Sequence, residues 1–261
     1  MSQIYKYPRT PHIQGSRSQP GDEDLDSIPF ANIQPQHLVI EEKVDGANAA
    51  ISFTADGQLR LQSRGHYLTG GGREKHFNLF KQWAHTHASV LWEVLGSRFI
   101  LFGEWLYAKH TVFYDALPHY FLEYDLLDLE TQVFLSTKRR QQLLAGLPLV
   151  SVPVLFTGKL QSYQQMLGLL AKSHYQTPAY LENFAQACQQ QGLNIELALK
   201  QTDQSGLMEG LYIKVEPGDT VTARYKYVRS SFLTTILQSE SHWLNRPIIP
   251  NLLGPNVDLF S

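Results

Sequence analysis

The chain has 261 residues, of which 43% are hydrophobic and 18% are charged, and its formal net charge is −2. This composition is typical of a soluble globular protein and excludes a disordered chain or a generally basic nucleic-acid coat. Its single cysteine, Cys188, excludes an internal disulfide framework and a cysteine-rich zinc site. No apolar run reaches the length of a membrane span, and no signal-peptide core follows Met1. We therefore expect a cytoplasmic protein with no membrane partner.

The order of turn, strand and helix patterns predicts three segments. Residues 1–36 are rich in proline, glycine, serine and glutamine and lack periodicity, so we expect an extended arm rather than a packed element. Residues 37–229 carry strand patterns separated by Asp-Gly turns and interrupted by helical patterns, and we expect them to form the main domain. Residues 230–261 are predicted to form a short helical tail.

Within the main domain, the apolar patterns favour an α+β fold dominated by antiparallel strands, with helices inserted between them. Residues at helical spacing predict one or two amphipathic helices over 74–95, and Ser136 or Thr137 is suited to cap a short helix through Leu144. The segment 160–201 is predicted to be helical in pieces, and no motif in it indicates a function. Strands are predicted at 38–40, 49–53, 59–63, 99–106, 120–127, 211–215 and 223–228.

The segment from Glu41 to Asn48 places a lysine, Lys43, beside a tight Asp45-Gly46 turn. A lysine at the end of a strand is held on a rigid element and is partly shielded from water. Such a position suits a nucleophilic amine, because a free lysine is almost wholly protonated at neutral pH. Asp-Gly is also the commonest hairpin signal, so this segment by itself favours an ordinary surface lysine.

Five further short motifs follow this lysine in order along the chain. The series is Lys43-Val44-Asp45-Gly46, Ser63-Arg64-Gly65, Phe102-Gly103-Glu104, Glu123-Tyr124-Asp125, Glu209-Gly210 and Arg224-Tyr225-Lys226. It resembles the motifs of the covalent nucleotidyltransferase superfamily, which comprises RNA ligases, DNA ligases and mRNA capping enzymes. The resemblance extends over residues 38–229 and is greatest to the RNA-ligase branch related to phage RNA ligase 2. It implies an antiparallel-sheet adenylation domain.

The resemblance implies a role for each residue at the start of the series. Lys43 would attack the α-phosphorus of ATP, release pyrophosphate and hold AMP through a phosphoramidate. Glu41 would recognise the edge of the adenine, with an exposed strand-end acid as the alternative. Arg64 would contact the ribose or a phosphate, with a solvated basic face as the alternative. Glu104 would bind a ribose hydroxyl, although a structural hydrogen bond would also satisfy a carboxylate in so apolar a strand.

The later motifs complete the implied site. Tyr124 matches the aromatic residue that stacks on the purine, where the family has phenylalanine, and a buried core tyrosine is the alternative. Glu209 would position a divalent cation, Mg²⁺ or Mn²⁺, beside the phosphates. Arg224 and Lys226 lie two residues apart on a strand, so they face the same side and would grip the α-phosphate together. Arg224 replaces the lysine that usually fills its position but keeps the charge.

Nearby charges are expected to govern the reactivity of Lys43. Glu41 and Asp45 by themselves would raise the pKa of its amine. Arg224, Lys226 and a magnesium ion converging on one phosphate would lower that pKa. Three cationic groups against two carboxylates would then leave the amine neutral often enough to attack.

The resemblance implies an ATP-dependent RNA ligase that adenylates itself, transfers AMP to a 5′-phosphate end of RNA and seals that end to a 3′-hydroxyl, in a role in RNA repair. The stretch after Arg229 is too short for the five-stranded oligonucleotide-binding barrel that DNA ligases and capping enzymes append. A DNA ligase and a catalytically silent nucleotide- or RNA-binding module of the same fold stay open as alternatives. So does a kinase or phosphatase partner that prepares the RNA ends.

Overall fold

The computed structural model describes residues 4–17, 25–238 and 247–261, which form two β-sheets with α-helices and short 3₁₀ helices. The strands are β1 (His12–Ile13), β2 (Ser27–Ile28), β3 (Leu38–Lys43), β4 (Ala47–Phe53), β5 (Leu59–Ser63), β6 (Phe99–Trp105), β7 (Phe121–Asp128), β8 (Val133–Leu135), β9 (Val150–Ser151), β10 (Val154–Gly158), β11 (Gly210–Val215), β12 (Thr220–Val221) and β13 (Ala223–Val228). The α-helices are α1 (Asn78–Thr86), α2 (Ala88–Leu95), α3 (Thr137–Leu144), α4 (Tyr163–Leu167), α5 (Tyr180–Gln190), α6 (Ile195–Lys200) and α7 (Ser230–Gln238). The 3₁₀ helices are Phe30–Asn32 and Gly72–Phe77.

The first sheet carries the strand that ends in Lys43. Its strands lie in the order β10-β3-β11-β13-β1-β2, and neighbours are antiparallel except for the β13-β1 and β1-β2 pairs. In β3 the buried Leu38 and Ile40 pack with Leu211 and Ile213 of β11 in one apolar core. Because side chains alternate across a strand, Lys43 lies on the opposite face.

The second sheet carries Glu104 and Tyr124. Its strands lie in the order β12-β8-β7-β6-β4-β5, and β9 runs parallel to β7. Its apolar side chains form one core with α1 and α2, whose apolar stripes bury Phe80, Trp83 and Leu91 fully. This packing supports the sheet from behind.

The two sheets face each other across a cleft. A small apolar cluster between them contains Phe102 of the second sheet, Tyr212 of the first and Tyr7 of the N-terminal segment. A polar contact also crosses the cleft, because Arg224 of β13 donates from Nε to Asp125 Oδ2 of β7 at 2.8 Å. The face of the first sheet that carries the predicted nucleophile is therefore the face that meets the second sheet.

The predicted α+β fold with antiparallel sheets is confirmed, and the described residues form no closed barrel. Helices α1 and α2 lie within the predicted 74–95 segment, and Ser136 Oγ caps α3 by accepting from the N–H of Arg139. The predictions omit β1, β2, β8, β9, β10 and β12; all but β10 have only two or three residues, too few to show alternation. No helix in the described ranges combines the length and apolar character needed to cross a bilayer.

The described parts of the arm and the tail both contact the main domain. In the arm, β1 pairs with β13 and Ile13 is fully buried, so this part packs, unlike the extended arm that its composition predicts. The edge of β13 offers backbone groups for hydrogen bonding, and pairing with them orders a segment that has no apolar periodicity of its own. In the tail, residues 239–246 lie outside the described ranges, and Pro250 bridges to Ala108. The three-segment division stays a prediction.

Candidate active site

Lys43 and Glu209 meet in the cleft, where Lys43 Nζ donates to Glu209 Oε2 at 2.7 Å. The register of β3 and β11 explains the contact, because Gly210 lies directly opposite Lys43 and Glu209 precedes Gly210. A Cβ at Gly210 would lie 1.8 Å from the carbonyl oxygen of Tyr227 on β13, so only glycine permits the approach of β13 to β11 at this point. The Lys43 side chain is 23% exposed and that of Glu209 only 2%. The Lys43 side chain is therefore partly open to solvent, whereas the Glu209 carboxylate is almost wholly buried.

The Asp45-Gly46 turn holds Lys43 in place from its C-terminal side. Asp45 Oδ2 accepts the backbone N–H groups of Thr111 and Val112, each at 2.7 Å. A Cβ on Gly46 would lie 2.8 Å from a backbone carbonyl oxygen at the end of β6, so the turn packs too closely for a larger residue. The lysine is thus mounted on a turn that is fixed to the loop after β6.

Glu209 contacts the Lys43 amine, and Glu104 and Asp45 also act on its charge; we call these four residues the lysine cluster: Lys43, Asp45, Glu104 and Glu209. Burial raises the pKa of Glu104 to about 8 and that of Glu209 to about 7, although Lys43 opposes both shifts. Burial by itself lowers the pKa of Lys43, but Glu209, Glu104 and Asp45 outweigh it, and the net shift is upward. Burial therefore disfavours the charged forms of Glu104 and Glu209, and the nearby acids favour the protonated form of Lys43.

Two further predicted cations act on the lysine cluster from outside it. The buried Lys226 opposes the raised pKa of Glu209, and the exposed Arg64 opposes that of Glu104. The structure thus brings Lys43, Glu104, Glu209 and Lys226 together, with Arg64 on the solvent side. Such a convergence of cations favours the binding of phosphate groups.

A second group of charges lies between the sheets and is almost wholly buried. Arg140 of α3 places Nη2 3.2 Å from Glu41 and Nε 2.9 Å from Glu123. Lys214 Nζ lies 2.9 Å from Glu41 and 3.2 Å from Asp125. Three acidic and three basic side chains make up this group, which we call the ion cluster: Glu41, Glu123, Asp125, Arg140, Lys214 and Arg224.

Glu41 belongs to the ion cluster rather than to the surface. It is fully buried, and Arg140 and Lys214 bind its carboxylate, so the alternative of an exposed strand-end acid is excluded. We expected Glu41 to raise the pKa of Lys43 together with the acid of the turn. The acids that raise the pKa of Lys43, against the effect of burial, are Glu209, Glu104 and Asp45. The two cations bound to Glu41 account for the difference, because they compensate its charge.

Arg224 also belongs to the ion cluster. It shares a face of β13 with Lys226, as predicted, since these two residues pair with Lys214 and Tyr212 of β11. Its Nε is bonded to Asp125, and its guanidinium lies 3.9 Å from the ring centre of a phenylalanine on β8. Burial by itself raises the pKa of Asp125, but the cations of the ion cluster, Arg224 foremost, hold that pKa well below its usual range. Lys226 is therefore the member of this pair that acts on the lysine cluster.

Tyr124 is half-buried beside two other tyrosines of the cleft. Asn48 donates a hydrogen bond to its hydroxyl, which fixes the ring. Its ring centre lies 6.3 Å from that of Tyr212, at an angle of 34°, and 5.2 Å from that of Tyr7. A flat base between two parallel rings needs a spacing of about 7 Å, twice the van der Waals contact distance. The Tyr124 and Tyr212 rings are tilted and closer than this, so a base would stack between them only if the rings moved apart.

Several described residues of the cleft were not predicted from the sequence, among them Tyr7, Arg140, Tyr212 and Lys214. Arg140 follows another arginine on a short helix, and no local pattern distinguishes the buried one from the exposed one. Tyr7 lies in a segment without periodicity. Tyr212 carried a usable signal, because alternation along β11 places it on the same face as Lys214 and opposite Glu41 in the register.

Glu209, with Glu104 near it, fits a divalent cation. Carboxylate oxygens are the ligands that Mg²⁺ and Mn²⁺ prefer, and the lysine cluster has negative charge to be compensated. Among the described residues, no three acidic, histidine or cysteine side chains are grouped to hold a metal ion. Mg²⁺ is commonly held by one or two carboxylates together with substrate phosphates, which is the arrangement that this site allows.

Two facing sheets that bring together Lys43, the buried Glu209, the half-buried Glu104 and a second lysine, Lys226, fit the covalent nucleotidyltransferase superfamily. The sequence model of the RNA ligase family matches residues 36–228, about three quarters of the chain. The chain belongs to the RNA ligase family. A comparison with curated proteins finds no match.

The fold resembles solved structures of the Naegleria gruberi RNA ligase. A mutant of that ligase with ATP and Mn gives a TM-score of 0.54 at 17% identity, over 88% of this chain and 58% of the other. Another mutant with ATP and Mn gives 0.55 at 16% identity, over 90% and 59%. The ligase with pyrophosphate gives 0.54 at 17% identity, over 88% and 57%. The matched part is less than two thirds of the Naegleria chains, and the likeness is one of fold.

Proposed function

We propose that this chain is an ATP-dependent RNA ligase that adenylates itself on Lys43, passes AMP to a 5′-phosphate RNA end and seals that end to a 3′-hydroxyl. The observation that carries the proposal is the lysine cluster. A partly exposed amine at a strand end lies beside the buried Glu209 and the half-buried Glu104, with Lys226 acting on Glu209, in a chain of the RNA ligase family. The ATP and pyrophosphate in the Naegleria structures are the substrate and product of such a first step.

In the first step, Lys43 would attack the α-phosphorus of ATP as a neutral amine. The nitrogen–phosphorus bond forms while the bond to the pyrophosphate oxygen breaks, and the amine loses a proton. The surrounding carboxylates favour the protonated amine, which Glu209 holds at 2.7 Å. The amine therefore becomes a nucleophile only when Glu209 has another partner.

Glu209 would find that partner in a divalent cation, Mg²⁺ or Mn²⁺, held jointly with the nucleotide phosphates. Such an ion, when bound, neutralises phosphate charge in the transfer. Lys226 would bind the α-phosphate from the neighbouring strand, because its side chain is buried on the face that meets the lysine cluster. These contacts would free Lys43 from its ion pair.

The remaining predicted residues would bind the nucleoside. Glu104 would accept a ribose hydroxyl, and the exposed Arg64 would contact the ribose or a phosphate from the solvent side. The purine would stack on Tyr124, with the ring of Tyr212 as its second wall.

Two predicted contacts require a rearrangement of the ion cluster. Glu41 would recognise the adenine edge only where Arg140 or Lys214 yields an oxygen of its carboxylate. Arg224 would share the α-phosphate with Lys226 only where it leaves Asp125. We therefore propose that these two residues shape the pocket from behind and that Lys226 is the principal phosphate ligand.

The later steps follow from the family. A 5′-phosphate oxygen of RNA would attack the AMP phosphorus and release Lys43, and a 3′-hydroxyl would then displace AMP. Positioning and charge neutralisation do most of the work in such transfers. Sealing of this kind would serve RNA repair, with a kinase or phosphatase preparing the ends.

Intact-mass measurement before and after incubation with ATP and Mg²⁺ tests the proposal. We expect a gain of one AMP that acid removes, and no gain in Lys43→Ala. Lys159→Ala is the matched control, because this exposed lysine lies away from the cleft. Ligation of 5′-phosphorylated RNA, compared with DNA, then tests the polymer.

Two results would contradict the proposal. If wild-type protein gains no AMP and pyrophosphate treatment shows that none was already bound, the chain is a binding module. If GTP replaces ATP as the donor, the chain is a capping-type guanylyltransferase rather than a ligase.

A further inference from the structure

Tyr7 brings the N-terminal segment into contact with the proposed purine pocket. The residue is only 6% exposed, and its ring lies 5.1 Å from Phe102 and 5.2 Å from Tyr124. Its hydroxyl is hydrogen-bonded to Asp125 on the second sheet and to Tyr212 on the first. One side chain from outside the main domain thus joins both walls of the cleft.

The hydrogen bonds of Tyr7 have a determined direction. Asp125 is ionised, because the cations around it hold its pKa well below its usual range despite its burial, and an ionised carboxylate only accepts. Tyr7 therefore donates its single proton to Asp125 and must accept from Tyr212, at 2.7 Å. Tyr212 in turn accepts from Thr10 Oγ1 at 3.1 Å. The result is a one-way chain from Thr10 through Tyr212 and Tyr7 to Asp125.

The far end of this chain is linked to the ion cluster. Asp125 Oδ2 accepts from both Tyr7 and Arg224 Nε. Burial and the charge of Asp125 raise the pKa of Tyr7, so its hydroxyl keeps the proton that the chain requires. The Tyr7 hydroxyl therefore links Tyr212 to Asp125, which also holds Arg224.

The arm that carries Tyr7 is itself hydrogen-bonded to β13, the strand that carries Lys226. The N–H of Lys226 donates to the carbonyl oxygen of Pro11 at 2.9 Å, and the N–H of Val228 donates to Ser16 Oγ at 2.9 Å. The backbone on the C-terminal side of Thr10 is thus held to β13, which fixes the arm next to the cleft.

We propose that Tyr7 is a positioning residue for nucleotide binding, which holds Tyr212 against the purine and, through Asp125, holds Arg224 behind it. The inference rests on the proposed function for the place of the nucleotide. It assigns part of the nucleotide site to a segment outside the motifs of the main domain.

Calorimetric titration with an ATP analogue that has a methylene bridge between the α and β phosphorus atoms, in Mg²⁺, tests the inference without requiring transfer. Tyr7→Phe keeps the ring and removes both hydrogen bonds of the hydroxyl. We expect the Kd to rise about tenfold, since each lost bond contributes a modest net free energy. Tyr5→Phe is the matched control, because this arm tyrosine is 39% exposed, and we expect its Kd to match the wild type.

Thermal unfolding without nucleotide separates positioning from stability. A lower melting temperature with an unchanged Kd in Tyr7→Phe would overturn the inference, as would equal effects in Tyr5→Phe. If Tyr7→Phe does not fold, the same titration is made with Thr10→Val, which removes the hydrogen bond at the other end of the series from Thr10 to Asp125. The proposed function fails separately, when wild type binds the analogue but gains no AMP from ATP. If wild type does not bind the analogue at all, the inference fails.

Discussion

The lysine cluster and the ion cluster lie in the same cleft but differ in how their charges are balanced. In the lysine cluster, three carboxylates face the single amine of Lys43, and burial raises the pKa of Glu104 to about 8. In the ion cluster, three acids face three bases, and the cations hold the pKa of Asp125 well below its usual range although burial opposes them. In the first cluster the acids outnumber the bases, whereas in the second each acid lies within 4 Å of at least one base of the same cluster.

This difference indicates that the lysine cluster binds a ligand and that the ion cluster supports the fold. A buried charge without full compensation costs free energy, so its presence indicates that something else binds there. A compensated buried ion pair adds little stability of its own but is costly to break. We therefore expect changes in the lysine cluster to alter activity and changes in the ion cluster to alter stability.

The largest effect is expected from Glu209→Gln. This change removes the proposed cation ligand, so the rate of AMP transfer to Lys43 should fall by at least about 100-fold. The free energy of unfolding should change by less than about 1 kcal/mol, because burial already disfavours the charged form of Glu209. Intact-mass kinetics and urea unfolding measure the two quantities, with the exposed Glu196→Gln as control. A large loss in the free energy of unfolding would show that Glu209 supports the fold as the ion cluster does, which contradicts the proposed difference between the two clusters.

Arg140→Met should have the opposite profile. It leaves Glu41, Glu123 and Asp125 with an uncompensated buried charge, so we expect a loss of about 3–5 kcal/mol in the free energy of unfolding. Arg139→Met removes the preceding, exposed arginine and should cost less than about 0.5 kcal/mol. Similar urea midpoints for the two variants would show that the ion cluster does not support the fold.

The two clusters should respond to pH in opposite directions when metal is removed with EDTA. The folded pKa of Glu104 lies above its unfolded value of about 4, so its contribution to stability is full below pH 4 and is lost as pH rises through about 8. The pKa of Asp125 is lowered on folding, so its contribution is present above about pH 4 and is lost as pH falls further. Each effect is of the order of a few kcal/mol, because one unit of pKa shift corresponds to about 1.4 kcal/mol.

Unfolding midpoints measured across pH in two variants sharpen this comparison. Glu104→Gln should flatten the alkaline side of the profile, and Asp125→Asn should flatten the acid side. Retention of both slopes in either variant would mean that other groups dominate the pH dependence.

The smallest effect is expected from Tyr124→Phe. This variant keeps the ring that would stack on the purine and loses only the hydrogen bond from Asn48, so the Kd for the methylene analogue of ATP should change by less than about threefold. Tyr124→Ala should weaken binding at least about tenfold, because stacking on a base contributes about 1–3 kcal/mol. Equal effects of the two substitutions in the calorimetric titration would argue against stacking.

Much of the fold was predictable because its long elements have strong periodicity. The helical spacing of Phe80 and Trp83 and the alternation along β5 are local properties, and the structure contains the corresponding elements. Lys43, Glu104 and Glu209 were predictable as a group because each lies within a short motif of a known superfamily. The strand register then places the first and last of them side by side.

The rest of the site depends on partners that are distant in the chain. Arg140 and Glu41 are 99 positions apart, and Tyr7 and Asp125 are 118 positions apart. No local pattern distinguishes Arg140 from the exposed Arg139, because both lie on the same short polar helix. Only the packing of α3 decides which arginine enters the protein.

The sequence by itself determined the α+β class, the strand carrying Lys43 and which residues we propose for nucleotidyl transfer, since periodicity and short motifs are local. Tertiary structure alone decided that Glu41 and Arg224 are neutralised in the ion cluster, that Lys226 acts on the lysine cluster, and that Tyr7 enters the cleft. The physical reason is that burial and charge compensation depend on which side chains meet across two sheets, and a charge can be assigned a role only when its partners are known.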